Sequence, residues 1–268
     1  MSEPTPEENR QRAALAADTA VNALSAARNS LSFAADTAVE VDKALFRSEQ
    51  EIDALRSYAS HVRERRDEPW RSVRSALESG QDVEERLRQA QRGLGEVRDH
   101  LEQSARAIAA GREFLDDIER VPGYRSEATD QLRNRLAGLD RAVHGSIAGV
   151  ERTGWRLTAA QQNLKPVLEV SLSEEQRERT AATIDEVSAG VTRDVAHARG
   201  GIEVLGDNFA DDRADAWNVG KDTSDLATAI RAGTNPTPQS AQTAPGALSE
   251  DPRVAWSEGR DLGPGLDR

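Results

Sequence analysis

Two strict seven-residue repeats of apolar side chains occupy the first half of the sequence. The first repeat has fourteen positions, and thirteen of them are apolar. These positions are Ala17, Ala20, Leu24, Ala27, Leu31, Ala34, Ala38, Val41, Leu45, Ser48, Ile52, Leu55, Ala59 and Val62. A sustained heptad repeat is typical of a helix that winds around a partner helix. The pattern therefore predicts a long helix with a coiled-coil core stripe.

The second repeat runs through residues 73–118, and eleven of its fourteen positions are apolar. When the chain folds back on itself, the two repeats align with Leu45 facing Ala90 and Leu24 facing Gly111. A large side chain then meets a small one in ten of the fourteen layers. Such alternation fills the space between two helices without voids. The two repeats therefore predict a pair of antiparallel helices.

The segment between the repeats has the composition of a tight turn before a helix. Asp67 or Glu68 can cap the second helix, and Pro69 lies at a helix start, where proline is tolerated. We expect a disordered leader at residues 1–6 and an antiparallel helical hairpin over 7–121. Its helices would be about 70 Å long at about 1.5 Å per residue, which makes the hairpin a rod.

A second pair of apolar stripes follows the Val121-Pro122-Gly123-Tyr124 break. We expect a third helix from Arg125 or Ser126 that Pro166 bends or ends. A capping box formed by Ser173 and Gln176 predicts the start of a fourth helix.

The second pair of stripes also aligns when the chain folds back near residue 170. In that alignment Leu157 faces Ile184, and Thr153 faces Ser188. The short connections between the helices predict antiparallel neighbours. We therefore expect a second helical hairpin within residues 122–232.

Beyond the fourth stripe, we expect a short fifth helix at about Thr223–Ala232, within the second domain. Residues 233–268 are rich in Pro, Gly, Ser, Thr and Gln, which predicts a disordered tail. The fold class predicted from the sequence is all-α. Elongated antiparallel hairpins form an up-down-up-down four-helix bundle, with the short fifth helix and the disordered tail; hairpins joined end to end are the alternative.

The net charge of −12 restricts the classes of partner. No stretch is basic enough for a nucleic-acid partner, which needs lysine and arginine side chains against phosphates. A membrane is disfavoured, because acidic surfaces repel this charge and no apolar run approaches about 20 residues. The polar, acidic start at residues 1–8 does not resemble a signal peptide, so we expect a cytoplasmic protein. Export without a signal peptide would be compatible with the same residues.

Few residues suggest chemistry. The predicted register brings His144 and His197 together, with Asp140 and Asp194 one turn earlier; a solvent-exposed pair is favoured over a metal site. The sequence has no cysteine, and it has no phosphate-loop, dinucleotide or nucleophile-elbow motif. We therefore expect a non-enzymatic protein with no catalytic residue, cofactor or metal.

Large apolar residues outside the predicted core are the candidate partner-binding residues. Phe33 and Phe46 lie off the first stripe, and Val254 and Trp256 lie in the tail. Aromatic anchors in short flexible segments are typical of peptide docking. The sequence predicts a structural or adaptor protein, a helical rod that mediates protein–protein interaction or self-assembly, with a tail peptide for a partner. The oligomeric state is left open.

The alanine-rich, cysteine-free helices resemble phasin-like granule coats in composition. That resemblance implies the alternative function, an amphipathic bundle on a lipid or polymer granule surface. A leaderless secreted helical protein is a further alternative. The turn Glu68-Pro69-Trp70-Arg71 lacks the Trp-x-Gly of the secreted helical hairpins of actinobacteria. Arginine outnumbers lysine by 32 to 3, which indicates GC-rich coding rather than a function. We expect a bacterial protein.

Overall fold

The computed structural model describes residues 4–64, 69–169 and 177–234, and these ranges contain four α-helices and no β-strand. The helices are α1 (Pro6–Glu64), α2 (Pro69–Arg120), α3 (Glu127–Leu168) and α4 (Arg177–Ala232). The predicted all-α class is confirmed. The predicted caps at Asp67 or Glu68, the capping box at residues 173–176 and nearly all of the predicted tail lie outside the described residues.

Reciprocal hydrogen bonds cap the first turns of α1 and α3. The Thr5 backbone N–H donates to Glu8 Oε2 at 2.7 Å, and the Glu8 N–H donates to Thr5 Oγ1 at 3.2 Å. The backbone bond from Thr5, and then the bond from its hydroxyl, lowers the pKa of the Glu8 carboxyl. Ser126 and Thr129 exchange equivalent bonds at 3.1 and 3.3 Å. These bonds satisfy N–H groups that have no partner within the helix.

Glycines in the left-handed region follow α2 and α4. Gly123 has a φ of 89° and Gly233 a φ of 68°. After α4, the Gly233 N–H donates to Ile230 O and the Thr234 N–H donates to Ala229 O, each at 3.1 Å. This C-terminal cap needs a residue at positive φ, which glycine adopts without a Cβ penalty.

The predicted short fifth helix is wrong as a separate element, because α4 continues without a break to Ala232. Its buried stripe continues through Val219, Thr223, Leu226 and Ile230 at three- and four-residue spacing. Burial of each large apolar side chain contributes about 1.5–3 kcal/mol, whereas a glycine within a helix costs about 1 kcal/mol. The burial of these side chains therefore outweighs the cost of the glycines within α4, and the helix continues past them.

The predicted core of the first two helices is confirmed. All fourteen positions of each heptad repeat are buried, including the polar exceptions Ser48 and Ser104. The Ser48 hydroxyl donates to the Leu45 carbonyl at 2.7 Å, so this polar side chain is satisfied within its own helix.

The helices are divided between two compact units, and each unit contains segments of all four. The first unit comprises the residues up to Ser25, the segment Ile108–Gly138 and the residues from Ala214 onward. The second unit comprises Ala26–Ala107 and Leu139–Arg213. Each unit thus contains parts of both predicted hairpins.

Within each unit, consecutive helices contact each other and α4 contacts α1. In the second unit, α1 contacts α2 through Val41 and Gly93, and α2 contacts α3 through Arg98 and Glu151 at 3.7 Å. There α3 contacts α4 through Asn163 and Asp194 at 2.7 Å, and α4 contacts α1 through Arg199 and Asp42 at 3.0 Å. In the first unit the corresponding contacts are Leu24 beside Gly111, Arg133 to Asp116 at 2.7 Å, Arg135 with Asp222, and Arg231 with Asp18. In both units the helices therefore have the same cyclic order, in which α1 contacts α2, α2 contacts α3, α3 contacts α4 and α4 contacts α1.

The predicted register of α1 against α2 is confirmed where the structure reports contacts. In the first unit, a Cβ built on Gly111 would lie 3.5 Å from Leu24 Cδ2, its predicted partner. In the second unit, a Cβ on Gly93 would lie 2.6 Å from Val41 Cγ2, one residue from the predicted alignment. Glycine allows the two backbones to approach closely at these positions.

The predicted register of α3 against α4 is wrong. Thr153 lies against Gly201 rather than Ser188, thirteen residues further along α4. Similarly, a Cβ built on Gly149 would lie 2.9 Å from Leu205 Cδ2. A shift of thirteen residues is close to two heptads, so the apolar stripe of α4 nearly coincides with itself after the shift. Both alignments therefore place apolar residues in the core. The observed register leaves the start of α4 in contact with α1, where Arg63 binds Glu178.

Candidate functional site

Phe33 is an exposed aromatic side chain at the α1–α2 interface of the second unit. It is 58% exposed, and its ring lies 5.6 Å from the His100 ring of α2. In the described part of the chain, His100 Nδ1 and Ser104 Oγ are buried and have no hydrogen-bond partner. Phe33 thus contacts the ring of His100, whose Nδ1 is a buried polar atom of the kind that costs about 1–3 kcal/mol when it has no partner.

Phe46 occupies the other side of α1, at the contact with α4. It is 47% exposed, and the Arg199 guanidinium lies 5.3 Å from its ring centroid. Arg199 also binds Asp42 at 3.0 Å and Glu49 at 2.6 Å. Burial disfavours the charged guanidinium, but the hydrogen bond that it donates to Asp42 and the charges of both carboxylates outweigh this effect. The pKa of Arg199 is therefore raised.

Of the four candidate residues, the structure describes Phe33 and Phe46, and it places them at separate positions. Phe33 and Phe46 are thirteen residues apart on α1, which is about 20 Å along a helix axis. They also face different neighbouring helices, because one contacts α2 and the other contacts α4. Val254 and Trp256 lie outside the described residues. The two phenylalanines therefore form two separate aromatic contacts on the second unit.

Polar side chains at seven-residue spacing join α1 to α4 in the second unit, and we call this set the charge ladder. It consists of Asp42, Glu49, Arg56 and Arg63 on α1 and Glu178, Asp185, Thr192 and Arg199 on α4. Arg63 binds Asp185 at 2.6 Å and Glu178 at 3.1 Å, and these bonds raise its pKa. Acidic residues precede arginines on both helices, so only an antiparallel arrangement brings opposite charges together.

A second ionic cluster joins α2 to α3 in the first unit. Arg133 binds Asp116 at 2.7 Å and Glu119 at 2.5 Å, and these bonds raise the pKa of the guanidinium. An open cavity of about 400 Å³ adjoins it, with Arg120 and Arg125 in its wall. The cluster pairs cations with carboxylates across the connection between the helices, and it contains neither a nucleophile nor a histidine.

The first unit also has a depression at one end, which we call the terminal cleft. It has a volume of about 340 Å³ and is lined by Pro4, Pro6, Asn9, Arg10, Pro122, Gly123, Tyr124, Gly233 and Thr234. A Cβ built on Gly233 would lie 3.4 Å from the carbon of the Arg10 guanidinium. The cleft therefore combines three prolines and a tyrosine with one arginine.

The predicted encounter of His144 with His197 does not occur in the observed register. The shift of thirteen residues corresponds to about 20 Å along α4. His144 is exposed, and its Nδ1 lies 2.8 Å from the Asp140 carbonyl oxygen. Among the described residues, no group of three or more His, Asp or Glu side chains is placed to hold a metal ion.

Arg199 and the charge ladder are the features that the sequence interpretation missed. The signal was available, because residues 42, 49, 56 and 63 and residues 178, 185, 192 and 199 both follow a seven-residue spacing. Charges at positions that flank a heptad core often pair between helices. The spacing does not say which helices are neighbours, so the pairing of α1 with α4 itself comes from the tertiary structure.

No family model matches the sequence, and neither a curated protein nor a solved structure matches it. None of the helices in the described ranges contains a segment long and apolar enough to cross a membrane.

Proposed function

We propose that this chain is a non-catalytic structural or adaptor protein that mediates protein–protein interaction or self-association in the cytoplasm. The observation that carries this proposal is the partial exposure of the Phe33 and Phe46 rings on the surface of the second unit. Both rings remain about half exposed although each is in contact with a neighbouring helix. Aromatic side chains held in place in this way lose little entropy on binding, and they are enriched at protein interfaces.

The proposed scaffold is an up-down-up-down four-helix bundle. Its support is the cyclic order of contacts in each unit and the antiparallel sense of each pair. For example, Arg199 binds residue 42 of α1, whereas Glu178 and Asp185 bind residue 63. A close-packed bundle with cross-helix ion pairs provides a stable support for side chains that project outward.

The proposed partner is another protein or a second copy of this chain, and the tail residues Val254 and Trp256 are a further proposed contact. The absence of catalysis is part of the proposal. The clusters found in the described residues are arginine–carboxylate pairs, and such pairs normally stabilise tertiary structure.

The test places a photo-cross-linking phenylalanine analogue at position 33 or 46 in the native cell. Trp155 is the matched control position, because it is 74% exposed on α3 of the same unit. We expect discrete cross-linked species from positions 33 and 46 and none from position 155. Mass spectrometry then distinguishes a second copy from another protein, and fractionation of the same cells tests the cytoplasmic location.

Purified full-length protein provides the second arm of this test. If self-association is the function, sedimentation velocity should show a concentration-dependent oligomer that Phe33→Ser and Phe46→Ser weaken and Trp155→Ser does not. A monomer at all concentrations, together with no discrete cross-link from position 33 or 46, would contradict the proposed function.

A further inference from the structure

The terminal cleft of the first unit has features that match one segment of the same chain. Three prolines and Tyr124 are four of the nine residues that line it, and they offer apolar contact to a flat aromatic ring, while Asn9, Arg10 and Thr234 add polar atoms. Its volume of about 340 Å³ is at the lower end of the range for small-ligand sites. The only tryptophan beyond Thr234 is Trp256, preceded by Val254 and Ala255.

The charge of the cleft is also complementary to the sequence around Trp256. Arg10 lies in the wall, and no carboxylate of the described residues forms an ion pair with it. Residues 250–258 carry three carboxylates, Glu250, Asp251 and Glu258, and one arginine, Arg253, so this segment has a net negative charge. Arg10 can therefore bind a carboxylate that either precedes or follows Trp256 when the tryptophan lies in the terminal cleft.

The connection between the cleft and the segment is long enough. Thr234 is itself part of the cleft wall, and nineteen residues separate it from Val254. A flexible chain of that length has a root-mean-square span of about 25 Å. The segment can therefore return to the cleft without strain, and its attachment gives it an effective concentration in the millimolar range.

We propose that residues Val254–Trp256 bind in the terminal cleft of their own chain, with the Trp256 ring against the prolines and Tyr124 and an acidic neighbour on Arg10. The cleft stores the aromatic anchor of the tail until a competing partner displaces it. This inference rests on the cleft and the tail, and it stands apart from the proposed roles of Phe33 and Phe46.

The experiment uses full-length protein labelled with 5-fluorotryptophan and observed by ¹⁹F NMR. Trp256→Phe identifies the Trp256 resonance among the four tryptophans. We expect this resonance to differ from that of a synthetic peptide of residues 245–262 and to be independent of protein concentration. Tyr124→Ala should move it to the peptide position.

Arg10→Glu should raise the ratio of free to bound segment by up to about fivefold, the equivalent of one exposed ion pair. Replacement of both Glu250 and Asp251 by arginine in the Arg10→Glu protein should reverse this effect. Leu15→Ala is the control, because Leu15 is 68% exposed on α1 of the same unit but does not line the cleft. Circular dichroism checks that each variant remains folded.

Two results would overturn the inference. A Trp256 resonance identical to that of the peptide in the unaltered protein would show that the cleft is empty. A bound resonance that disappears on dilution would show that the tail of a second copy occupies it. Neither result bears on cross-linking from positions 33 and 46, so the two proposals can fail separately.

Discussion

Glycine 93 shows how one missing side chain determines the distance between two helices. A Cβ at this position would lie 2.6 Å from Cγ2 of Val41, which is buried and β-branched. Val41 cannot rotate away easily, because its χ1 angle is restricted in a helix. Gly95, two residues along α2, has nothing within 4 Å of the same built atom. The two glycines therefore form a matched pair.

We expect Gly93→Ala to destabilise the protein by about 1–3 kcal/mol, because overpacking outweighs the gain in helix propensity. Gly95→Ala should stabilise it by about 0.5–1 kcal/mol, since only the propensity changes. Urea denaturation measures both free energies of unfolding. Equal effects of the two substitutions would contradict the close approach of α1 and α2.

The Thr5–Glu8 capping box predicts a local pH dependence. Because the folded-state pKa of Glu8 is lowered, its contribution to stability is present above its ordinary pKa and is lost as the pH falls through the lowered value. Carboxyl-detected NMR titration should show that Thr5→Ala raises the pKa of Glu8 only part of the way, because it removes the hydroxyl bond but keeps the backbone N–H bond, which lowers the pKa most. Thr5→Ser keeps the hydroxyl and should preserve the lowered pKa; a rise in this control would show that the hydroxyl is not the cause.

At the scale of whole helices, Arg199 is one of two arginines that each bind two carboxylates of the charge ladder, and it is the less exposed of the two. Arg199→Ala should cost about 1–2 kcal/mol, because two partly buried carboxylates lose their partner. Arg199→Lys should recover little of this loss, since an ammonium lacks the fork that binds Asp42 and Glu49 together.

The control for this prediction is the exposed Lys43–Glu40 pair of α1, in which both side chains are more than half exposed. Lys43→Ala should change the free energy of unfolding by less than about 0.5 kcal/mol. Thermal or urea unfolding at low and high salt compares the two sites. If Arg199→Ala is as mild as Lys43→Ala, the ladder contributes nothing to the pairing of α1 with α4.

The register of α3 against α4 can be tested by cross-linking, because the chain has no cysteine of its own. A Cβ built on Gly201 would lie 3.7 Å from the Thr153 Cβ, within the disulfide range of about 3.5–4.5 Å. We expect Thr153→Cys with Gly201→Cys to oxidise readily. Thr153→Cys with Ser188→Cys represents the register expected from the sequence and should remain reduced; the opposite result would restore that register.

For the molecule as a whole, the continuation of α4 predicts where the chain can be shortened. Deletion of the residues after Thr234 should lower the free energy of unfolding by less than about 1 kcal/mol, because every described helix and its cap remains. Deletion after Asp222 also removes the buried Leu226 and Ile230, and it should cost about 3–6 kcal/mol. Urea denaturation of both proteins would contradict this prediction if they were equally stable.

The sequence by itself determined the all-helical class, the core positions of α1 and α2 and the alignment of Leu24 with Gly111. Periodicity reports which face of a helix is buried, and alternation of large and small residues aligns two such faces. Phe33 and Phe46 were identified as lying outside the core by the same periodicity. Their contacts with His100 and Arg199 could not be predicted, because these contacts depend on which helices are neighbours.

Only the tertiary structure decided the register of Thr153 against Gly201, the continuation of α4 through Leu226 and the pairing of Arg199 with Asp42. A heptad stripe looks almost the same after a shift of two repeats, so periodicity alone does not distinguish the alternatives. The contacts that distinguish them join α1 to α4, more than one hundred residues apart in the chain. Such contacts form only when all four helices pack together, and their energies then determine the alignment that each helix adopts.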